Sequence, residues 1–122
     1  MQNSVSILIY NRSTDKVILV RQFRPAIFRS VLMKDHHDIE SCDQEELMKK
    51  ANQLPKGTGF TLELCAGIID KEGLSVQEIA QEEVIEETGF HPPLESLEFV
   101  LSYRSSVGTS GSLSQVYFCQ VE

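Results

Sequence analysis

The chain has 122 residues, of which 41% are hydrophobic and 24% are charged, and its formal net charge at pH 7 is −7. This length suffices for one modest hydrophobic core, and the composition is ordinary for a globular protein. The acidic balance excludes nucleic-acid binding through a basic surface, and no apolar run reaches the roughly 18 residues that a transmembrane helix needs. The N-terminus also lacks a signal-peptide pattern, so we expect a cytoplasmic protein with no membrane or nucleic-acid partner.

The first half of the chain combines strand patterns with one helical pattern. Ser4–Tyr10 and Lys16–Phe23 are predicted strands, and the polar turn between them predicts a hairpin. Asp43–Gln53 has a helical pattern that is either purely structural or shapes a sugar pocket, and a breaker run at 55–59 follows it. Thr61–Ala66 is the next predicted strand.

The second half begins with a predicted helix over residues 76–88 that has clear signals at both ends. Ser75 is a natural N-cap, and Glu78 completes a capping-box pattern with it. Gly89 is a natural C-cap, because glycine adopts the left-handed conformation that often ends a helix.

Two further strands, joined by a Gly/Ser-rich loop, are predicted over Leu97–Arg104 and Leu113–Val121. We expect the last of them to lie at an exposed, apolar edge of the sheet. Together the elements predict an α+β protein, an α/β/α sandwich in which an acidic helix packs on a mixed β-sheet.

The segment from Glu82 to Gly89, EEVIEETG, places four carboxylates within six residues. In a helix that turns about 100° per residue, Glu83 and Glu87 fall on the apolar face one turn apart, while Glu86 lies at the edge of that face. Like charges at this spacing repel, and burying unpaired carboxylates costs free energy. A hard divalent cation such as Mg²⁺ removes both penalties. The alternative is a solvated acidic helix, or one that packs beside basic residues from elsewhere in the chain.

The segment from Gly67 to Phe90, GIIDKEGLSVQEIAQEEVIEETGF, resembles a Nudix box. The usual form of that motif is G-x5-E-x7-R-E-U-x-E-E-x-G-U, in which U is a bulky apolar residue. The second half of the segment matches the motif at six positions, which are Glu83, Val84, Glu86, Glu87, Gly89 and Phe90.

The first half of the segment departs from the motif in two ways. It is one residue longer, so the first glutamate of the family corresponds to Glu72, to Gly73 or to no residue. The arginine that normally pairs with that glutamate is Glu82 here. We therefore expect the salt bridge that braces the preceding loop in the family to be absent.

Other blocks of the chain narrow the resemblance. VRQFRP, from Val20 to Pro25, and ELCAG, from Glu63 to Gly67, resemble segments of the nucleoside-diphosphate-sugar pyrophosphatases. Cys65, the lengthened box and the Gly/Ser-rich stretch Tyr103–Ser112 are most similar to the animal UDP-sugar pyrophosphatases within that branch.

This resemblance implies a single Nudix domain over residues 1–122 that is incomplete, because relatives are longer. It implies hydrolysis of the diphosphate linkage of a nucleoside diphosphate sugar with Mg²⁺ or Mn²⁺, first of all of UDP-glucose to UMP and glucose 1-phosphate. The alternatives are an ADP-ribose pyrophosphatase and a catalytically silent Nudix-like binding or dimerisation module. The resemblance also implies a homodimer for the full-length form.

The resemblance assigns the metal to Glu83, Glu87 and the backbone carbonyl of Ala66. Glu86 is the third catalytic carboxylate, either as a ligand of a second ion or as a partner of bound water, and its plain alternative is a solvated edge residue. The general base in this branch often comes from a glutamate well downstream of the box, so no residue is assigned to that role.

Three residues outside the box are candidates for binding the substrate. Arg24 is the first candidate for gripping the diphosphate, because a guanidinium binds phosphate oxygens in a bidentate way. Glu63 is a candidate for orienting Arg24 or the metal shell, and Arg104 is a second phosphate candidate. The alternative for Arg24 and Arg104 is a surface arginine at the end of a strand. The alternative for Glu63 is a polar residue on the exposed face of a strand.

The three cysteines are too few and too irregularly spaced for a disulfide framework or a zinc site, and we expect buried or incidental thiols at Cys42, Cys65 and Cys119. The three histidines show no metal-ligand spacing and are predicted to lie at the surface.

Overall fold

A computed structural model describes residues 2–34, 43–105 and 107–122 of the chain. It divides into two compact units, of which the first comprises Met1–Val20 and Glu63–Glu122 and the second Arg21–Leu62. The predictions for His36, His37 and Cys42 lie outside the described residues. No helix of the described ranges combines the length and the apolar character needed to cross a membrane.

The first unit is built on a five-stranded mixed sheet around β1 (Ser4–Asn11). On one edge β1 pairs antiparallel with β2 (Lys16–Ile18), as the predicted hairpin requires, and through its first half with β5 (Cys65–Ile68). On the other edge β1 pairs in parallel with β7 (Ser112–Val121). The sheet ends at β6 (Glu98–Ser105), which pairs antiparallel with β7.

The hydrophobic core of the first unit lies between this sheet and α3 (Val76–Thr88). Alternate residues of β1 are buried, because successive side chains of a strand point to opposite faces. Burial of each large aliphatic side chain contributes about 1.5–3 kcal/mol. The core residues without any exposed surface are Val5, Ile7, Ile9, Cys65, Ala80, Val84 and Cys119. The predicted α+β class, with a mixed sheet and the acidic helix packed on it, is confirmed.

The bounds of α3 are those that its capping signals predict. The Ser75 hydroxyl accepts a hydrogen bond from the backbone N–H of Glu78, and the Glu78 carboxylate accepts one from the backbone N–H of Ser75, both at 3.1 Å. Gly89 ends the helix with a φ of 81°, in the left-handed region where glycine has no steric penalty. A short 3-10 turn, Leu94–Ser96, leads from there to β6.

The second unit contains most of a two-stranded sheet, whose strands are β3 (Val20–Phe23) and β4 (Phe60–Glu63). It also contains two helices, α1 (Pro25–Leu32) and α2 (Gln44–Gln53), that pack against each other. α2 confirms the predicted helix, with Asp43 as its N-cap. Among the side chains of the second unit, Phe23 forms aromatic pairs with Phe28 and with Phe60. The Arg21 guanidinium lies 4.3 Å from the Phe60 ring centroid.

Two predicted strands are each divided in the structure. Lys16–Phe23 forms β2 and β3 with a break at Leu19, and Thr61–Ala66 belongs to β4 and β5 with a break at Leu64. In both cases the two pieces pair in different sheets, which the alternation of residue types along one strand does not reveal. α1 was not predicted, because its eight residues are too few for a distinctive periodic pattern.

The prediction that Leu113–Val121 forms an exposed edge is wrong. β7 lies between β1 and β6, and its residues are largely buried or half-buried. The exposed edge is β6, in which seven of eight residues are exposed. The parallel pairing of β1 with β7 joins strands from opposite ends of the chain, and no local pattern indicates such a pairing.

Candidate active site

The four carboxylates of α3 have different surroundings. Glu83 and Glu87 are half-buried, as their place on the apolar face predicts, and Glu86 is exposed at the edge of that face. Glu82 lies on another side of the helix, where it contacts Lys71. The helical periodicity therefore separates a half-buried pair from two outer carboxylates.

Glu83 lies directly against the backbone of β5 at Gly67. A Cβ atom at position 67 would lie 2.2 Å from Cδ and 2.3 Å from Oε1 of Glu83, so only glycine leaves the carboxylate in this place. Gly67 follows Ala66, whose carbonyl oxygen is the predicted third metal ligand. The contact brings the Glu83 carboxylate to the stretch of β5 that carries that carbonyl.

One carboxylate oxygen of Glu87 has no hydrogen-bond partner among the described residues. This oxygen, Oε2, is buried. The fully buried Cys65 thiol of β5 lies beside the Glu87 carboxylate. Burial raises the pKa of the Cys65 thiol, and the charge of Glu87 raises it further. Because a buried carboxylate oxygen without a partner costs free energy, this atom favours a bound cation.

The electrostatic surroundings of Glu83 also favour a bound cation. Burial raises the pKa of the Glu83 carboxyl, and the neighbouring carboxylates of Glu86 and Glu87 raise it further, while Lys71 opposes them. A divalent cation beside Glu83 would remove this penalty on the ionised form.

Side-chain hydrogen bonds hold α3 in place against the segment that follows it. Gln77 Nε2 donates to the carbonyl oxygens of Leu94, at 2.8 Å, and Leu97, at 3.0 Å. Gln81 Nε2 donates to the Pro92 carbonyl at 2.9 Å. The helix therefore presents its carboxylates from a fixed support, which a binding site requires.

The residues of this site fit Mg²⁺. The ion takes oxygen ligands, keeps several waters and typically uses one or two protein carboxylates together with substrate phosphate. Glu83, Glu87 and the Ala66 carbonyl supply such a set. Among the described residues no three His, Cys, Asp or Glu side chains converge into a preformed metal cage. A cation bound here would therefore need oxygen ligands from water or phosphate to complete its coordination.

Lys71 corrects the expectation that the helix lacks a salt bridge to the preceding loop. Lys71 Nζ donates a short hydrogen bond to Glu82 Oε2 and lies 3.5 Å from Glu86 Oε1. The hydrogen bond with Glu82 raises the pKa of the Lys71 ammonium. The bridge thus exists with its charges reversed, the cation on the loop and the carboxylate on the helix. Lys71 is the nearest basic residue before the acidic run, and this was the available signal.

The substrate-binding candidates Arg24 and Glu63 belong to different units. Arg24 is exposed at the N-cap of α1, and its backbone N–H donates to the Gly59 carbonyl at 2.7 Å. Glu63 is half-buried at the end of β4, two residues before Cys65. Their roles towards the substrate stay predictions.

Arg104 lies away from the carboxylates in the sheet. It belongs to β6, and β7 and β1 lie between that strand and β5. Its Nη1 donates to the Gly111 carbonyl at 3.2 Å, so the guanidinium braces the loop between β6 and β7. The structure does not bring Arg104 to Glu83 and Glu87, and its phosphate contact stays a prediction.

A cleft of about 400 Å³ opens elsewhere on the first unit. None of the predicted site residues lines it. Its walls include Arg12, Phe90, His91, Pro92, Gln120 and Val121. The acidic site lies instead where α3 meets β5, at the contact of Glu83 with Gly67.

The chain is similar to known proteins over nearly its whole length. No protein-family model matches the chain. It is 36% identical over 120 residues to uridine diphosphate glucose pyrophosphatase NUDT14 of Bos taurus and 34% identical over 120 residues to the protein of the same name of Mus musculus. Each match covers 98% of this chain and 54% of the relative, so the chain spans about half the length of these curated relatives.

A solved structure described as an ADP compounds hydrolase matches the chain with a TM-score of 0.59 and 20% sequence identity. The match covers 97% of this chain and 46% of the other. At this level of identity the match establishes the fold alone. The curated relatives confirm the predicted resemblance to the UDP-sugar pyrophosphatases, and the structural match confirms the predicted Nudix fold.

Proposed function

We propose that the chain hydrolyses the diphosphate linkage of a nucleoside diphosphate sugar, with Mg²⁺ as cofactor and UDP-glucose as the first candidate substrate. The observation that carries the proposal is the half-buried pair Glu83 and Glu87, with one buried oxygen that lacks a partner among the described residues. The similarity to uridine diphosphate glucose pyrophosphatases over nearly the whole chain supports the substrate class.

The chemistry of the reaction suits this site. Mg²⁺ held by Glu83, Glu87 and the Ala66 carbonyl would offset the negative charge that develops on the phosphate oxygens when water attacks. Gly67 leaves room for the Glu83 carboxylate, and the Glu87 carboxylate lies beside the buried Cys65. Both carboxylates are therefore placed before the substrate arrives, which lowers the cost of reorganisation during reaction.

Glu86 has a separate part in this proposal. Its exposed carboxylate lies on the same helix as the half-buried pair and is open to solvent. We assign it the role of accepting a hydrogen bond from water near the reacting phosphate, the second of its two predicted roles. Arg24 and Glu63 remain candidates for contacts with the diphosphate.

A catalytically silent Nudix-like module is the second candidate. The sequence favours it in two ways: Glu82 stands where the Nudix box has arginine, and the extra residue in the segment displaces the first glutamate of the box. Such a module would bind a nucleotide or a second protein without turnover.

The test is product analysis with the purified chain. We expect UDP-glucose and Mg²⁺ to give equal amounts of UMP and glucose 1-phosphate, faster than ADP-ribose gives AMP and ribose 5-phosphate. Reaction in ¹⁸O-labelled water identifies the phosphorus atom that is attacked, since the label enters only one product. Binding of Mn²⁺ without hydrolysis of either substrate would favour the silent module.

A further inference from the structure

Lys71 engages the two outer carboxylates of the acidic helix. Its Nζ donates to Glu82 Oε2 and lies 3.5 Å from Glu86 Oε1. Glu82 and Glu86 are four residues apart and thus one helical turn apart on the same side of α3. A single ammonium therefore bridges a pair of carboxylates that would otherwise repel each other.

The loop that carries Lys71 is held at both ends. The backbone N–H of Ile69 donates to the Asn3 carbonyl at 2.9 Å, and Ser75 is fixed by its capping box with Glu78. Between them, Leu74 packs against the hydrophobic core. The ammonium is consequently presented to α3 from an anchored loop.

The charges of the helix explain what the ammonium does there. Glu86 is three residues from Glu83 on α3, so the two carboxylates are neighbours on the helix surface and repel each other. Without Lys71, Glu82 and Glu86 would offer a second pair of oxygen ligands, one turn apart like Glu83 and Glu87. A hard divalent cation favours such a pair.

We propose that Lys71 is a positioning residue that occupies the Glu82–Glu86 side of α3 as a built-in cation and so restricts the helix to the metal ion held by Glu83 and Glu87. The proposal rests on the proposed function, since it concerns the metal site of that reaction. In this protein Glu86 is then tied to Lys71 and is not a ligand of a second ion.

The test is a titration of the full chain with Mn²⁺, followed by electron paramagnetic resonance of the free ion. Lys71→Met keeps the length of the side chain and removes its charge. Lys71→Arg keeps the charge, and Lys16→Met removes the same charge from β2, at the end of the hairpin. We expect one bound Mn²⁺ in the wild type, in Lys71→Arg and in Lys16→Met.

For Lys71→Met we expect either a second bound Mn²⁺ or a dissociation constant lowered by about three- to ten-fold, since an opposing charge a few ångströms away has been removed. Adding Glu86→Gln to Lys71→Met should reverse that gain. Equal stoichiometry and affinity in Lys71→Met and Lys16→Met would overturn the proposal while leaving the proposed function intact. A chain in which neither the wild type nor Lys71→Met binds Mn²⁺ would contradict both.

Discussion

Gly67 and Glu83 are in closer contact than any other residue type at position 67 would allow. The carboxylate carbon of Glu83 occupies the space in which a side chain would begin, 2.2 Å from the position of a Cβ atom. The contact joins β5 to α3 at the point where the metal ligands are predicted. It makes the position of the Glu83 carboxylate depend on the absence of a side chain on the neighbouring strand.

Gly67→Ala should therefore displace the Glu83 carboxylate. Because the clashing atoms are the mobile end of the glutamate, the side chain can rotate away, and we expect little change in the thermal midpoint. We expect kcat/KM to fall by at least about ten-fold, equivalent to about 1.4 kcal/mol of transition-state stabilisation. Steady-state hydrolysis of UDP-glucose and thermal unfolding measure the two effects.

Gly108→Ala is the matched control, since a Cβ atom at position 108 would contact nothing within 4 Å. Unchanged kinetics in Gly67→Ala would contradict the placement of Glu83 in the site. A large loss of stability in that variant would instead indicate that the close approach serves packing.

The raised pKa of Glu83 predicts a pH-dependent stability of the metal-free chain. Its folded-state pKa lies above the usual 4.5, because burial and then Glu86 and Glu87 disfavour the ionised form. The stabilising contribution of the protonated group is present below about pH 4.5 and is lost as the pH rises through the folded-state pKa. In EDTA, Glu83→Gln should therefore become increasingly more stable than the wild type as the pH rises towards 7.

Thermal unfolding between pH 4 and 7 measures this difference. Glu95→Gln, a change at an exposed glutamate outside α3, is the control and should follow the wild type at every pH. A stability difference between Glu83→Gln and the wild type that does not vary with pH would show that the ionised carboxylate carries no penalty. Addition of Mg²⁺ should raise the thermal midpoint of the wild type more than that of Glu83→Gln.

The sequence predicts the acidic site better than it predicts the sheet. Glu83 and Glu87 follow from helical periodicity, because burial and spacing within one helix are local properties. The contact of Gly67 with Glu83 and the bridge from Lys71 depend on how β5 and the following loop approach α3, which only the folded chain defines. The available signals were a glycine at the start of the box and a lone lysine before the acidic run.

In the sheets, too, the sequence predicts local pairings but not pairings between distant segments. The hairpin of β1 and β2 is local, and its turn chemistry predicts it. The parallel pairing of β1 with β7 and the assignment of β3 and β4 to a separate sheet depend on contacts between distant segments. The missed helix α1 begins with Pro25, which is suited to a first helical position but also ends strands.

The two described thiols should resist modification in the folded chain. Cys65 and Cys119 have no exposed surface, and burial raises the pKa of Cys119 to about 11. At pH 8 the thiolate fraction of Cys119 is then on the order of 0.001. In a Cys42→Ser background we expect reaction with Ellman's reagent at least about 100-fold slower than for free cysteine, and rapid reaction of two thiols in guanidinium chloride. One fast thiol per folded chain would contradict the burial of this pair.

The exposed edge strand β6 predicts association of the isolated chain. Val100 is 51% exposed and lies at a bulge between the paired residues Phe99 and Leu101. A charged residue on an edge strand opposes pairing with another strand. We expect Val100→Lys to shift the chain towards monomer in sedimentation velocity at increasing concentration. Val107→Lys adds the same charge in the loop after β6, where Val107 is 78% exposed, and should leave association unchanged.

The most direct test of the central claim is the Mg²⁺ dependence of UMP release from UDP-glucose by the wild type, Glu83→Gln, Glu87→Gln and Glu95→Gln. We expect the wild type and Glu95→Gln to require Mg²⁺ and to have equal rates. We expect each of the two α3 variants to lose at least about 100-fold in kcat/KM, or about 2.7 kcal/mol of transition-state stabilisation, while remaining folded. Normal Mg²⁺-dependent hydrolysis by Glu83→Gln or Glu87→Gln would contradict the assignment of the metal site to this pair.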